Sequence, residues 1–297
     1  MLSDQCVLVL GGSGLLGVNL IKQFRDKFEV IGTYRSAHPQ IDIKWIKFEI
    51  SDLEELITNI KPDVIINCIG ITNVDYCESH AKDSESINTI FPGELAIICS
   101  LQNIKLIHIS TDNFESSLNA IRDENVNPKA INVYGKTKLD GEKLVLGASP
   151  NNLVFRSNFF GFAHKERNSL LQWIISEAKN SGRINGINDV FFSPVSVKLF
   201  SDVLCESIIK NYVGIYNLSS NECITKADFI KIVLDTLKYS KVEIVPTKLR
   251  ELKFAAKRPK FMCLSNQKIS SVLSFKIPSL EYMIKDQLGD TIEIQFS

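Results

Sequence analysis

The feature that most limits the fold of this chain is a set of spaced glycines directly after a short apolar run. The run, residues 6–10, is too short for a helix and ends at Gly11, which is typical of a buried parallel strand. A G-x-x-G-x-x-G motif follows, ahead of a helical pattern over residues 15–27. Such a turn brings backbone N–H groups and a helix N-terminus against a pyrophosphate. The residues predicted to contact a dinucleotide here are Gly11, Ser13, Gly14, Leu15 and Gly17.

Strand-like and helix-like segments alternate over the first half of the chain. A helix over residues 53–59 is predicted to begin at Asp52, a favoured capping residue. Strands separated by helices need right-handed crossovers, so the pattern predicts an α/β fold with a Rossmann-type doubly wound parallel sheet. The predicted strands are 6–10, 29–34, 43–50, 64–68, 105–110 and 152–156.

After residue 157 the alternation loosens, which predicts a smaller C-terminal substrate-binding lobe. The dinucleotide-binding domain is predicted to span residues 1–156, with residues 190–221 returning to it. The second lobe is predicted to comprise residues 157–189 and 222–297. The elements predicted after residue 157 are helices at 169–181, 201–210, 225–237 and 280–288 and a strand at 214–218.

The charge balance argues against a role in binding nucleic acid. Lys plus Arg number 34 and Asp plus Glu number 34, so the net charge is zero, and bulk charge cannot attract a polyanion. No apolar run approaches the roughly 18 residues that a spanning helix needs. The first residues carry an acid and no basic segment, so a cleaved signal is not expected. We therefore predict a cytoplasmic protein without a membrane partner.

The cysteines and histidines indicate neither a metal site nor a disulfide framework. The seven cysteines are scattered, odd in number and without a CxxC motif, which is typical of buried, reduced thiols. The four histidines, including His164, have no ligand spacing. No metal is predicted.

Tyr134 and Lys138 form the motif that most directly suggests catalysis. On a helix, positions i and i+4 share a face, so both side chains can reach one cofactor. A nearby ammonium favours the phenolate and lowers the tyrosine pKa from about 10. We therefore predict that Tyr134 transfers a proton and that Lys138 lowers its pKa.

The end of the second predicted strand suggests which nicotinamide cofactor binds. A carboxylate commonly holds the ribose 2′-hydroxyl of NAD at this position. Here the chain has Arg35 and Ser36 instead, which suit a 2′-phosphate. NADPH is therefore the predicted cofactor, with NADH as the alternative.

Two further segments end strands at the same predicted sheet edge. Backbone of Cys68, Ile69 and Gly70, after the fourth strand, is predicted to line the cofactor. Thr111, after the fifth strand, can offer its hydroxyl to a substrate oxygen; the alternative for Thr111 is a helix cap.

Together these motifs resemble the extended short-chain dehydrogenase/reductase family. Within it, the chain is most similar to the dTDP-4-dehydrorhamnose reductase subgroup, on segments 132–142, 187–194 and 258–265. The resemblance spans essentially the whole chain. It implies a Thr111/Tyr134/Lys138 catalytic set, a reduced nicotinamide cofactor, a nucleotide-linked 4-keto sugar, a role in surface-polysaccharide sugar biosynthesis and a homodimer.

The resemblance also implies roles for single residues. Tyr134 would protonate the C4 oxygen as hydride arrives, Lys138 would hold the nicotinamide ribose, and Asn88 would support the catalytic helix. Glu49 and Ile50 match the adenine-side position, where the family usually has Asp. The residues implied to bind substrate are Thr111, Asp112, Asn158, Phe159 and Arg258, the last near the diphosphate.

Two departures from the family pattern concern the sugar pocket. The family usually continues Asp-Tyr-Val-Phe-Asp-Gly where this chain has residues 112–117, ending in Ser116 and Ser117. Phe159 stands where tryptophan is usual, so an indole N–H is lost. The resemblance therefore supports the type of reaction more strongly than the identity of the sugar.

The residues after the fifth predicted strand and the Tyr134/Lys138 pair distinguish between other activities of the same fold. A 4,6-dehydratase needs Asp-Glu where this chain has Asp112 and Asn113, which argues against that reaction. A sugar-nucleotide epimerase, a reductase of another nucleotide-linked keto sugar and a non-catalytic regulatory subunit remain alternatives. The presence of both Tyr134 and Lys138 favours an enzyme.

Overall fold

The computed structural model describes residues 4–115, 121–163 and 169–295. Ser116, Ser117 and His164, which figure in the sequence predictions, lie outside these ranges, as do the first three residues.

A seven-stranded, entirely parallel sheet forms the centre of the protein and confirms the predicted fold class. The strand order is β11-β6-β5-β4-β1-β2-β3. The order reverses between β1 and β4, and such a switch point is where a ligand crevice opens at the carboxyl edge. The strands are β1 Cys6–Leu10, β2 Glu29–Tyr34, β3 Lys44–Lys47, β4 Val64–Asn67, β5 Lys105–Ile109, β6 Leu153–Ser157 and β11 Gly214–Leu218.

Both faces of this sheet are buried, as the uninterrupted apolar run of β1 predicts. Val7 and Val9 belong to one buried cluster, and Leu8 and Leu10 belong to another on the opposite face. Each fully buried aliphatic side chain contributes roughly 1.5–3 kcal/mol to stability. The helices are α1 Leu15–Phe24, α2 Leu53–Ile60, α3 Val74–Ser79, α4 Ala81–Glu85, α5 Phe91–Leu101, α6 Val133–Ala148, α7 Leu170–Asn180, α8 Val197–Ile209, α9 Lys226–Thr236, α10 Gln267–Ser270 and α11 Leu280–Gln295.

Several predicted boundaries are wrong. Asp52 precedes α2, but its carboxylate accepts from the Ser51 hydroxyl at 2.8 Å and does not cap the helix. The predicted 201–210 helix begins earlier, because the Ser196 hydroxyl accepts from the Leu199 N–H at 3.1 Å and caps α8. The predicted 43–50 strand is shorter, and the predicted 280–288 helix continues to Gln295.

The C-terminal half contains short strands that pair in small sheets. Their order is β12-β9-β14, with β13 beside β8 and β10 beside β7. β11 pairs with β6 in the central sheet, although the predicted division into two lobes stays a prediction. These strands are β7 Phe159–Phe160, β8 Arg183–Ile187, β9 Phe191–Phe192, β10 Val195–Ser196, β12 Ile224–Thr225, β13 Glu243–Thr247 and β14 Phe261–Met262.

The prediction that all cysteines are reduced is wrong for one pair, since Cys223 and Cys263 form a disulfide. Cys223 precedes β12 and Cys263 follows β14, and both strands pair with β9. This pairing brings the two Cα atoms to 5.6 Å across 40 residues of sequence, a separation that suits a disulfide. The other five cysteines are free.

Across the described ranges, no helix has both the length and the apolar composition needed to cross a membrane.

Candidate active site

The side chain of Asn132 anchors the N-terminus of α6, where Tyr134 lies in the first turn. The Asn132 side chain caps the helix by accepting from the Gly135 N–H at 2.7 Å. Its amide donates to the Asn113 side-chain oxygen and to the Lys257 carbonyl, each at 2.8 Å. Three hydrogen bonds of Asn132 therefore fix the helical turn that contains Tyr134.

Thr111, Tyr134 and Lys138 line one cavity of about 470 Å³. Thr111 lies just past the end of β5, and its side chain is close enough to the Tyr134 hydroxyl to influence the pKa of that phenol. Residues from the glycine turn, from the loop after β4 and from β6 complete the wall of this first cavity. Its lining includes Gly14, Leu15, Gly17, Cys68, Ile69, Gly70, Asp112, Asn113, Asn158, Phe159 and Ser169.

The predicted lowering of the Tyr134 pKa does not hold in this structure. Burial raises the pKa of Tyr134 to about 12, and the hydrogen bond with Thr111 opposes that shift. The ammonium of Lys138 points elsewhere, to the Ile109 carbonyl at 2.6 Å. The phenol is therefore protonated at neutral pH, which suits a proton donor.

A buried network behind Lys138 sets its hydrogen-bonding partners. The Asn67 side-chain oxygen accepts from the Ile69 N–H at 3.0 Å, so its amide nitrogen faces Nδ1 of His108 at 3.2 Å. Burial lowers the pKa of His108 well below its usual value, and the positive charge of Lys138 lowers it further. Nε2 of His108 lies 3.5 Å from the Lys138 nitrogen. Burial lowers the pKa of Lys138 to about 8.

The glycine turn has the close backbone packing that a dinucleotide cradle requires. Gly11 has φ of +75°, a conformation that favours glycine. A Cβ at Gly17 would lie 2.5 Å from the Gly11 carbonyl oxygen, so no side chain fits where α1 packs on the turn. Ser13 lies within the same turn, and the N-terminus of α1 follows directly. The turn therefore fits a pyrophosphate.

The remaining predicted cofactor residues lie away from the first cavity. Arg35 and Ser36 are exposed beyond the end of β2, and Glu49 and Ile50 follow β3 next to it. Since β2 and β3 pair in parallel, all four lie at the carboxyl edge, where an adenosine ribose would extend from the glycine turn.

Asp112 is a buried carboxylate held by one neighbour. The Asn158 amide nitrogen lies 3.1 and 3.3 Å from its two oxygens. Burial raises the pKa of Asp112 to about 6, and the positive charge of Lys226 opposes this shift. Phe159, which follows Asn158, packs edge-on against Phe200 with ring centroids 5.5 Å apart.

A second cavity of about 220 Å³ lies beside the first, and Asn113 lines both. The described residues make its walls largely apolar and aromatic, with two cationic side chains among them. The lining includes Trp173, Ile187, Val190, Lys226, Ile230, Leu249, Phe254, Arg258 and Met262.

Arg258 lies in this second cavity, but its guanidinium already has a partner. One nitrogen of Arg258 lies 2.8 Å from a carboxylate oxygen of Asp75 in α3, and the guanidinium carbon lies 4.9 Å from the Phe254 ring centroid. The other Asp75 oxygen accepts from the Ala256 N–H at 2.9 Å. Arg258 therefore joins the C-terminal segment to α3.

Asn88 contacts the loop after β4 and the catalytic helix, as the resemblance implies. It accepts from the Ile71 N–H at 2.9 Å and donates to the Ile71 carbonyl at 3.0 Å. A Cβ at Gly141 would lie 2.1 Å from the Asn88 carbonyl oxygen. Glycine on α6 therefore lets the two segments approach closely.

Sequence reasoning missed three features of this region. Lys226 directly follows a capping Thr225, which indicated only the start of a helix. The ion pair of Glu142 with Arg156 is fully buried behind Ser110, whose hydroxyl donates to Glu142 at 2.9 Å. His108 lies in the apolar strand β5, where its sequence position gave no sign of its contact with Lys138. Within the part of the chain that the structure describes, no cluster of candidate metal ligands occurs.

The sequence is similar to a family model and to several curated proteins. The family model described as RmlD substrate binding domain matches residues 5–292. The chain is 28% identical to the probable low-salt glycan biosynthesis reductase Agl14 of Haloferax volcanii, over 92% of this chain and 94% of that protein. It is also 28% identical to the dTDP-4-dehydrorhamnose reductase of Aggregatibacter actinomycetemcomitans, over 94% and 97% of the two chains.

Solved structures share the fold at lower identity. The dTDP-4-dehydrorhamnose reductase of Bacillus anthracis, solved in complex with NADP, has a TM-score of 0.84 at 24% identity, covering 97% of this chain and 100% of that one. The UDP-N-acetylglucosamine 4-epimerase of Methanobrevibacter ruminantium has a TM-score of 0.83 at 19% identity, covering 99% and 100%. One architecture thus occurs in both a reductase and an epimerase.

Proposed function

Because this chain belongs to the RmlD substrate binding domain family, we propose that it is an NADPH-dependent reductase of the 4-keto group of a nucleotide-linked deoxysugar. A dTDP-linked sugar of the rhamnose type is the proposed substrate, and glycan assembly is the proposed use of the product. The glycan biosynthesis reductase among the relatives supports this proposal.

The observation that carries the proposal is the arrangement of Thr111, Tyr134 and Lys138 around one cavity that also reaches the glycine turn. A proton donor, a neighbouring hydroxyl and a cation thus line the cavity in which a nicotinamide and a ketone would meet. Thr111 follows β5, Tyr134 and Lys138 lie on α6, and Lys138 is hydrogen-bonded to the last residue of β5.

The glycine turn and the N-terminus of α1 would hold the pyrophosphate of the cofactor, and Lys138 would hold hydroxyls of its nicotinamide ribose. When bound, the reduced nicotinamide supplies a hydride. Arg35 and Ser36 would bind the 2′-phosphate that distinguishes NADPH from NADH.

Tyr134 donates its phenolic proton to the ketone oxygen, so that the carbonyl carbon gains hydride and the oxygen becomes a hydroxyl. The Thr111 hydroxyl would donate a hydrogen bond to the same oxygen. The raised pKa of about 12 keeps the phenol of Tyr134 protonated at neutral pH, so the proton is available for transfer to the ketone oxygen. Solvent then restores the proton.

The two adjoining cavities support an elongated substrate. The sugar would occupy the first cavity, next to Asp112, Asn158 and Phe159. The nucleoside would occupy the apolar second cavity, where Trp173 and Phe254 offer aromatic faces.

The test is NADPH consumption with enzymatically generated dTDP-4-keto-6-deoxy-L-mannose, run beside its UDP-linked analogue. Rapid oxidation with one of them identifies a 4-keto reductase and its nucleotide, and NMR of the product gives the configuration at C4. Clear NADPH binding without oxidation by either compound would contradict the proposal.

The same assay separates the nearest alternative. An epimerase would interconvert two C4 epimers of a nucleotide sugar without net consumption of NADPH. We therefore expect stoichiometric loss of NADPH and a single reduced product. In the control reaction, which contains the keto-sugar nucleotide and NADP⁺ in place of NADPH, we expect no conversion.

A further inference from the structure

The ammonium of Lys226 packs on an aromatic ring and has no hydrogen-bonding or ion-pair partner among the described residues. It begins α9 immediately after Thr225, whose hydroxyl accepts from the Asp228 N–H at 3.0 Å and caps the helix. Its ammonium nitrogen lies 3.3 Å from the ring centroid of Phe192. Among the described residues, no carboxylate lies within 4.0 Å of this ammonium and no group is hydrogen-bonded to it.

The electrostatic partner of Lys226 is a carboxylate that lines the other cavity. Burial lowers the pKa of Lys226 to about 8, and the carboxylate of Asp112 opposes that shift. Lys226 lines the second cavity and Asp112 lines the first. The ammonium on the wall of the second cavity is therefore within electrostatic range of Asp112 on the wall of the first, and it is mostly protonated at neutral pH.

Arg258, the other cation of the second cavity, is already occupied. Its guanidinium is paired with Asp75 at 2.8 Å and lies over the Phe254 ring. Binding a phosphate through Arg258 would compete with that ion pair, whereas Lys226 has three N–H donors and no ion pair with any residue that the structure describes.

We infer that Lys226 binds the diphosphate that joins sugar to nucleoside, and that it thereby selects nucleoside diphosphates over nucleosides. The inference rests on the proposed function, since it takes the sugar to occupy the first cavity and the nucleoside the second. An ammonium is a compact charge that donates strong hydrogen bonds to phosphate oxygens. Asn113, which lines both cavities, marks the passage that the diphosphate would occupy.

The test is calorimetric titration of the NADP⁺-saturated protein with dTDP, UDP, thymidine and uridine. Lys226→Met is compared with wild type and with Lys231→Met, since Lys231 is exposed on the same helix. We expect Lys226→Met to weaken binding of the preferred diphosphate by about tenfold or more. Nucleoside binding and Lys231→Met should stay at wild-type values, and Lys226→Arg should retain most of the diphosphate affinity.

Equal diphosphate affinity in wild type and Lys226→Met would overturn the inference, as would absence of diphosphate binding in wild type. A proportional loss of nucleoside and diphosphate binding would indicate a displaced cavity wall and would also contradict it. These titrations need no turnover. A protein that binds diphosphates through Lys226 but fails to oxidise NADPH would refute the reductase proposal alone.

Discussion

The ammonium nitrogen of Lys138 lies 2.6 Å from the carbonyl oxygen of Ile109, the last residue of β5. This hydrogen bond joins α6 to the strand that leads to Thr111. Lys138 is buried, and Cys68 and Glu142 are the acidic groups that raise its pKa against the effect of burial. The lysine is therefore both fixed in position and poised to lose its proton near pH 8.

NADPH affinity should fall as the pH rises from 7 to 9. The pKa of Lys138 is lowered to about 8, so the ammonium is present below that pH and lost above it, and the anionic cofactor favours the cation. Fluorescence titration of NADPH across this range measures the effect. Lys138→Met should bind weakly at every pH, whereas Lys136→Met, which alters an exposed lysine of the same helix, should keep the wild-type profile. A flat wild-type profile would contradict the assignment.

Arg35→Ala should weaken NADPH binding more than NADH binding, by about tenfold, because only NADPH offers a 2′-phosphate for a charge-assisted contact. Arg25→Ala, at an exposed arginine after α1, is the control. Dissociation constants for both cofactors decide the matter, and equal losses with NADPH and NADH would refute the predicted selectivity.

Glu142→Gln should destabilise the protein by about 3–5 kcal/mol, because it leaves the buried Arg156 without its counter-ion. The pair joins α6 to β6 with both side chains 5% exposed. Asp140→Asn removes a more exposed partner of Lys136 and Lys143 and should cost less than about 1 kcal/mol. Urea denaturation gives the free energy of unfolding of each variant. Similar losses in the two variants would show that burial does not increase the contribution of the ion pair.

Reduction of the disulfide should lower the free energy of unfolding by about 4 kcal/mol, since it frees a loop of 40 residues between Cys223 and Cys263. Cys223→Ser should have a similar effect, and dithiothreitol should then cause no further loss in that variant. An unchanged unfolding midpoint after reduction would show that the bond does not form in solution.

The central sheet could be predicted from the sequence because its strands are short apolar runs bounded by turns. Leu8 and Leu10, buried on one face, and Val7 and Val9, buried on the other, leave no polar position in β1. The helix starts at Ser169 and Thr225 were likewise predictable, since both residues cap through their hydroxyls. Local sequence determines these features.

Features that join distant segments could not be predicted in the same way. The Cys223–Cys263 bond depends on β12 and β14 both pairing with β9. The Arg258–Asp75 pair spans 183 residues, and the Tyr134 pKa depends on burial that no local motif encodes. Tyr134 and Lys138 were recognisable from their spacing, whereas Lys226 and His108 matter only through neighbours that the fold supplies.

The most direct test of the central claim is the turnover of Tyr134→Phe with the keto-sugar nucleotide that wild type reduces. Phenylalanine keeps the ring but removes the proton donor, so we predict that NADPH oxidation is abolished. NADPH should still bind with nearly the wild-type dissociation constant, since the glycine turn and Lys138 are unchanged. Wild-type turnover in Tyr134→Phe would contradict the assignment of Tyr134 as proton donor and, with it, the proposed mechanism.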